Sequence, residues 1–254
     1  MQGHQKLPSF LLLEITTECN FKCKQCHQWM TKETTNAIPT SEKLRAVEEL
    51  AQLSPAAKII LTGGETMLKN DEFFAICKHA KKYNLKVIAN TNGSFINEQN
   101  MLDVLKYGPD YLIISLDSHI EKLHRFTRGN KESFNHIVNI IPKLIDLRNL
   151  HNLDTQIYTH SIIFEENIRL WADYIEFART KLKVDAVYFQ LLKETLRNQN
   201  SSDPFFEKHF FKDLNETLSI FNEIIKIYKD DSFMGTKAFD IELMKSEVIN
   251  PREL

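Results

Sequence analysis

No apolar run of about 18 residues occurs in this chain, so no membrane-spanning helix is expected. The opening residues, 1–6, carry neither an apolar core nor a small-residue cleavage site, and no secretory signal is read there. Charge of one sign is also missing. The net charge is −2, which offers a polyanion no field to follow. One basic cluster, Lys78-His79-Ala80-Lys81-Lys82, falls inside a helical pattern and reads as a solvated face, so neither nucleic acid nor a membrane is expected as a partner. Cysteine is scarce. Four in 254 residues do not make a disulfide scaffold, and their grouping as three plus one suits a reducing cytoplasm and a metal site. No internal repeat is evident. What remains, 43% hydrophobic and 26% charged residues, is ordinary for a soluble globular chain of one large domain or two small ones.

The three clustered cysteines stand at Cys19, Cys23 and Cys26, a C-x3-C-x2-C spacing directly after the apolar run 10–15. Three thiolates on one short loop can converge on a single inorganic centre. On a 4Fe–4S cubane they would leave one iron without a protein ligand, open to a small molecule, whereas four thiolates suit electron transfer. The other reading is a zinc site in a non-catalytic binding domain, with His27 or His79 as the fourth ligand that zinc needs. The fourth cysteine, Cys77, lies on a helical apolar stripe and reads as core.

Along the chain, strand and helix patterns alternate six times. Strands are expected at 10–15, 58–62, 86–89, 111–116, 155–163 and 186–191. The helices begin at about Thr40, with Thr40 or Ser41 as cap, and at Asn70, with Asp71 and Glu72 in the first turn where the dipole favours them. A short one follows around Met101–Leu105, then stripes at 134–145 and 171–182 and a long last helix at 211–228. Residues 193–204 read as a polar loop, and 230–254 as less regular. Alternation of this kind means parallel strands joined by crossover helices.

The cysteine spacing resembles the signature of the radical SAM superfamily, and further matches follow in the order that family would require. Gly63-Gly64-Glu65, preceded by Ile-Ile-Leu-Thr, resembles the glycine–glycine–glutamate motif that holds the amino group of S-adenosylmethionine. Thr91-Asn92-Gly93 looks like the family's turn after the third strand, although Asn-Gly is equally an ordinary turn. Ser115-Leu116-Asp117 resembles its Ser-x-Asp segment, and Phe126-Thr127-Arg128-Gly129 a segment that follows. Arg128 has two readings, a bidentate partner of the cofactor's carboxylate or a surface arginine bridging Asp117 or a helix end. Gln190 stands where the family makes backbone contacts to adenine. Three positions depart from the pattern: Gln25 replaces an aromatic before the third cysteine, Thr66 a proline, and Ser118 a glycine.

The resemblance implies an α/β fold, a partial (β/α)6 TIM-type barrel of parallel strands and outer helices, with the active site at the strand C-termini. It implies a 4Fe–4S cluster on Cys19, Cys23 and Cys26. S-adenosylmethionine would be held by Gly63, Gly64, Glu65, Asn92, Ser115, Asp117, Arg128 and Gln190. The expected activity is an oxidoreductase-type reaction in which reductive cleavage of S-adenosylmethionine yields a 5′-deoxyadenosyl radical that takes hydrogen from a substrate, a peptide or a cofactor or haem precursor. A reductant such as ferredoxin or flavodoxin is implied as partner. The expected organisation is a core domain at 1–230 and an extension at 231–254 that begins a second, SPASM/Twitch-type domain.

Overall fold

Six short runs rich in β-branched and aliphatic residues form the strands β1 Phe10–Thr16, β2 Lys58–Gly63, β3 Lys86–Thr91, β4 Tyr111–Ser115, β5 Gln156–Ile163 and β6 Ala186–Leu191. The computed structural model describes residues 7–30, 37–194 and 203–250. The strands form one parallel sheet in sequential order, β1 to β6. Each of the five consecutive pairs is joined by at least one α-helix, as crossover between parallel neighbours demands. This is the expected α/β class, the strand-and-helix arrangement of a partial TIM-type barrel.

The chain divides into two compact units. The first comprises Met1–Asn20, Gln28–Ile113 and Asp146–Gln156. Its helices are α1 Thr40–Leu53, α2 Asn70–Lys82 and α3 Met101–Tyr107. Ile59 of β2 pairs with Val87 of β3, and Leu61 with Ala89, and all four are fully buried. Alternation along the strands puts them on one face. Burying each Ile or Leu there contributes about 1.5–3 kcal/mol. Phe73, Ile76, Cys77 and Ala80 form the buried face of α2. Burial pushes the Cys77 thiol up to about 12, so it is a neutral core group, as its stripe suggested. Neither Thr40 nor Ser41 caps α1. The N-cap is Pro39, without a side-chain hydrogen bond, and Thr40 is already in the first turn. A 3-10 turn, Thr66–Lys69, precedes α2 and was not foreseen.

The second unit comprises Phe21–His27, Ile114–Ile145 and Ile157–Leu254. Its helices are α4 Glu121–Arg128, α5 Ser133–Leu150 (its last turn lies in the first unit), α6 Trp171–Phe177, α7 Pro204–His209, α8 Leu214–Tyr228 and α9 Ala238–Ile249. The expected helix at 211–228 is α8, starting three residues later, and α7 ahead of it was not expected. Asp203 caps α7 through Phe205 N and Phe206 N, and Asp213 caps α8 through Glu216 N at 2.9 Å, so each begins at its own acidic cap. Residues 195–202 of the expected polar loop lie outside the described residues, and Pro204 belongs to α7. The tail is more regular than expected, since it contains α9. Ahead of α9, Val187 N reaches Phe233 O at 3.1 Å and Gly235 N reaches Val187 O at 2.8 Å, which covers the edge of β6. No helix among the described residues is long and apolar enough to cross a membrane.

Candidate cofactor site

In the first unit the glycine pair closes β2 against the approach to Cys19. Gly63 has φ +131°, and a Cβ on Gly64 would lie 1.9 Å from the Glu18 carbonyl oxygen. Gly64 N donates to Thr16 O at 2.7 Å and Glu65 N to Glu18 O at 2.9 Å. Only a residue without Cβ lets these two backbones meet. The resemblance gives the glycines a part in holding the amino group of S-adenosylmethionine. Their visible work is to hold Thr16–Glu18, the backbone that leads directly into the first cysteine.

Glu65 is almost completely buried. Its Oε1 accepts from the Thr91 hydroxyl at 2.6 Å and Met67 N at 3.1 Å, and its Oε2 accepts from Asn92 N at 2.7 Å. Burial raises its pKa against these three donors. Among the described residues no cation pairs with it. A carboxylate so deeply buried normally has a counter-charge when ionised. Asn92 does two things. Its Oδ1 accepts Ser94 N at 2.9 Å, the turn role, while its Nδ2 reaches Asn20 Oδ1 at 2.9 Å and the Cys19 sulfur at 4.0 Å. Thr66, in the place of the family's proline, donates its hydroxyl to Asn90 O at 2.8 Å.

In the second unit the end of α4 holds the other part of the cysteine loop. Lys24 N donates to Thr127 O at 2.8 Å. Gly129 has φ +63°, and a Cβ there would stand 2.3 Å from Lys22 O. The Cys23 thiol donates to Arg128 O at 3.6 Å. Cys23 is buried, Cys26 exposed and Cys19 between the two.

Asp117 is the centre of this part. Its Oδ1 accepts Arg128 Nη2 at 2.5 Å and Ile162 N at 3.3 Å. Its Oδ2 accepts the Thr127 hydroxyl at 2.6 Å and Gln25 Nε2 at 3.0 Å. Its carbonyl takes Ser161 and Asn167 side chains at 3.0 and 2.9 Å. Burial alone would raise this carboxyl, but the Arg128 charge and the hydrogen bonds outweigh it and hold its pKa below the ordinary aspartate value. Burial likewise works against the Arg128 charge, yet Asp117 and then Cys23 keep its pKa above the ordinary arginine value. Arg128 therefore bridges Asp117, but as a buried group, and its Nε is buried without a hydrogen-bond partner. His124 accepts Asp117 N at its Nδ1, 3.2 Å. Sequence reasoning passed over His124 and gave Thr127 no role because it missed α4, although His124 and Arg128 stand four apart as residues on one helix face do.

Two expected residues are not tied into these networks. Ser115 ends β4 half-buried, and Gln190 on β6 is exposed. Neither side chain has a hydrogen-bond partner among the described residues. Among the described residues no three His, Cys, Asp or Glu side chains stand together as ligands of one metal ion, Cys19, Cys23 and Cys26 included. His79 pairs with Glu48 at 2.9 Å, and His27 faces Asp203 at 3.6 Å.

Residues 13–178 match the radical SAM superfamily, which is more than half of the chain and includes every networked residue described above. The chain belongs to the radical SAM superfamily. It is 28% identical over 160 residues to an Fe-coproporphyrin III synthase of Methanosarcina barkeri, covering 58% of this chain and 37% of that protein. It is 28% identical over 200 residues to a probable GTP 3′,8-cyclase of Thermoplasma volcanium, covering 78% and 58%. The chain thus spans only part of the length of these relatives. Among solved structures, Streptococcus suis SuiB bound to S-adenosylmethionine superposes with a TM-score of 0.69 at 15% identity, over 87% of this chain and 48% of that one. SuiB has also been solved with its precursor peptide SuiA. At that identity the likeness speaks for the fold. The cofactors of the superfamily are a 4Fe–4S cluster and S-adenosylmethionine.

Proposed function

We propose that this chain is the core of a radical SAM enzyme in which Cys19, Cys23 and Cys26 hold a 4Fe–4S cluster. S-adenosylmethionine is assigned to Gly63, Gly64, Glu65, Asn92, Ser115, Asp117, Arg128 and Gln190. The observation that carries this is Glu65, a buried carboxylate fixed by three donors with no cation beside it among the described residues. The amino group of S-adenosylmethionine is the charge it lacks. When bound, the pair supplies one-electron cleavage of the sulfonium and hydrogen abstraction from the substrate.

The chain's own contribution is positioning. Gly63 and Gly64 fasten the approach to Cys19, while Thr127 and Gly129 fasten the stretch around Cys23. Thr91, Met67 and Asn92 aim the Glu65 carboxylate so that it needs no reorganisation on binding. Arg128 is the candidate for the cofactor's carboxylate, because a guanidinium matches that group in shape and charge. No acid or base is assigned, because hydrogen-atom abstraction asks none of the protein.

The names of the relatives, a tetrapyrrole synthase and a nucleotide cyclase, and the peptide-bound form of SuiB support a small-molecule or peptide substrate. The proposed reductant is a ferredoxin or flavodoxin, and the proposed compartment the cytoplasm. Residues 1–230 are proposed as the core domain and 231–254 as an extension towards a second one. The test is anaerobic reconstitution followed by strong reductant. The protein is expected to convert S-adenosylmethionine into 5′-deoxyadenosine and methionine. A protein carrying four irons and four sulfides that leaves S-adenosylmethionine intact would refute the enzymatic reading.

A further inference from the structure

We propose that Lys43 is a positioning residue for S-adenosylmethionine, whose buried ammonium locks a bulge in β1 and so holds the approach to Cys19 in register with Gly63-Gly64-Glu65. The inference rests on the cofactor reading above and adds a residue that lies outside the cysteine and glycine motifs.

Three observations carry it. First, β1 and β2 pair residue for residue up to Glu14 and Thr62, and the next pair is Thr16 with Gly63. Ile15 is therefore the extra residue of a bulge, a feature rare between parallel strands and frequent beside active sites. Alternation breaks there, since Ile15 and Thr16 are both buried. From this point the backbone meets the glycine motif, with Gly64 N on Thr16 O at 2.7 Å and Glu65 N on Glu18 O at 2.9 Å. Second, a cation sits on the extra residue. Lys43 Nζ donates to Ile15 O at 2.8 Å. Lys43 shares the buried face of α1 with Val47 and Leu50 and is only 4% exposed, where lysine is rarely found without a partner. Third, the same nitrogen stands 2.8 Å from Glu72 Oε1, in the first turn of α2. One ammonium thus ties α1 to the strand that leads into Cys19 and to the helix that follows Glu65.

Packing alone would be served better by an apolar residue at position 43, which fills the face of α1 without desolvating a charge. What lysine adds is a directed bond to one carbonyl. That bond favours the bulged register over the unbulged one, in which the residues after Glu14 would turn to the opposite faces. S-adenosylmethionine, assigned to the Gly63–Glu65 turn, binds where this register is held, so its apparent Kd rises as the held fraction falls.

The experiment compares two proteins with the parent. Lys43→Met with Glu72→Gln removes the ammonium without stranding a carboxylate, and Glu72→Gln alone keeps the bond to Ile15. Iron-loaded samples are titrated with S-adenosylmethionine by equilibrium dialysis, and metal-free samples are followed by hydrogen exchange. A hydrogen bond to a charged group is worth roughly one to two powers of ten in an equilibrium, so the double variant is expected to bind the cofactor about tenfold more weakly, with Glu72→Gln within about twofold of the parent. The Gly64 and Glu65 amides of the double variant should exchange about tenfold faster, while those of Val87 and Leu112 keep the parent's rates. A merely structural lysine would move all four amides together, and that result would overturn the proposal. So would a fully loaded double variant with the parent's affinity, or a Glu72→Gln protein as weak as the double variant. Where the double variant takes up no iron, the exchange pattern decides. A parent protein that takes up no iron would overturn the cofactor reading itself, and the exchange pattern would still judge the clamp.

Discussion

Replacing Gly64 by alanine should do damage that its small size does not suggest. The new methyl would sit 1.9 Å from the Glu18 carbonyl oxygen, 2.4 Å from its carbon and 2.7 Å from the Thr17 oxygen. These are backbone atoms, so no side chain can swing away. Relief requires the end of β2 and the Thr16–Glu18 segment to part. Parting them loses two hydrogen bonds, Gly64 N to Thr16 O and Glu65 N to Glu18 O, each a net contribution of about 1 kcal/mol. Residual overpacking adds about 1–3 kcal/mol. The sum is about 3–5 kcal/mol, which for a chain of this size is a fall in Tm of roughly 6–20 °C. Because the segment that moves enters Cys19, iron uptake should fall as well. Differential scanning calorimetry and iron assay on the same preparations read both effects. A Gly64→Ala protein with an unchanged Tm would refute the reasoning, since the two backbones would then have room that the geometry denies.

Burial pushes His124 down to about 3, and burial with the Arg128 charge pushes His160 down to about 4, from an ordinary 6.5. As the pH falls below 6.5 the unfolded chain takes up these protons while the folded one refuses them, so stability must decline. His124 alone should remove about 2 kcal/mol by pH 5, and equal urea midpoints at pH 7.5 and pH 5 would contradict this. Cys23→Ala should abolish cluster assembly, whereas Cys77→Ala should leave iron content unchanged; equal losses would mean that the ligands are misassigned. Glu65→Gln removes the buried anion with little change of shape and should weaken S-adenosylmethionine binding at least tenfold, about 1.4 kcal/mol, by equilibrium dialysis. Unaltered affinity would remove the charge argument.

The six strands were legible because each is a short aliphatic run bounded by turn residues, and the periodicity of Phe73, Cys77 and Ala80 placed α2. What escaped has a common cause. α4 buries His124, Thr127 and Arg128, so an apolar-stripe reading has nothing to detect, although this helix carries half of the site's polar network. α9 buries only Ile241 and Val248, too few for a recognisable face. The cysteines and Gly63-Gly64-Glu65 stood out by spacing, but what the glycines touch did not. Their partner is backbone, and backbone leaves no mark in the residue types of the segment it meets. Gln25 was visible only as a departure from a pattern. Its bond to Asp117, 92 residues away, needs the fold.

Mössbauer spectroscopy on protein reconstituted with isotopically enriched iron, with and without S-adenosylmethionine, tests most directly whether three cysteines leave one iron for the cofactor. The spectrum should resolve one iron of a four-iron cluster as distinct, and that component alone should shift when S-adenosylmethionine is added. Absence of a cluster, or four irons that ignore the cofactor, would contradict the account.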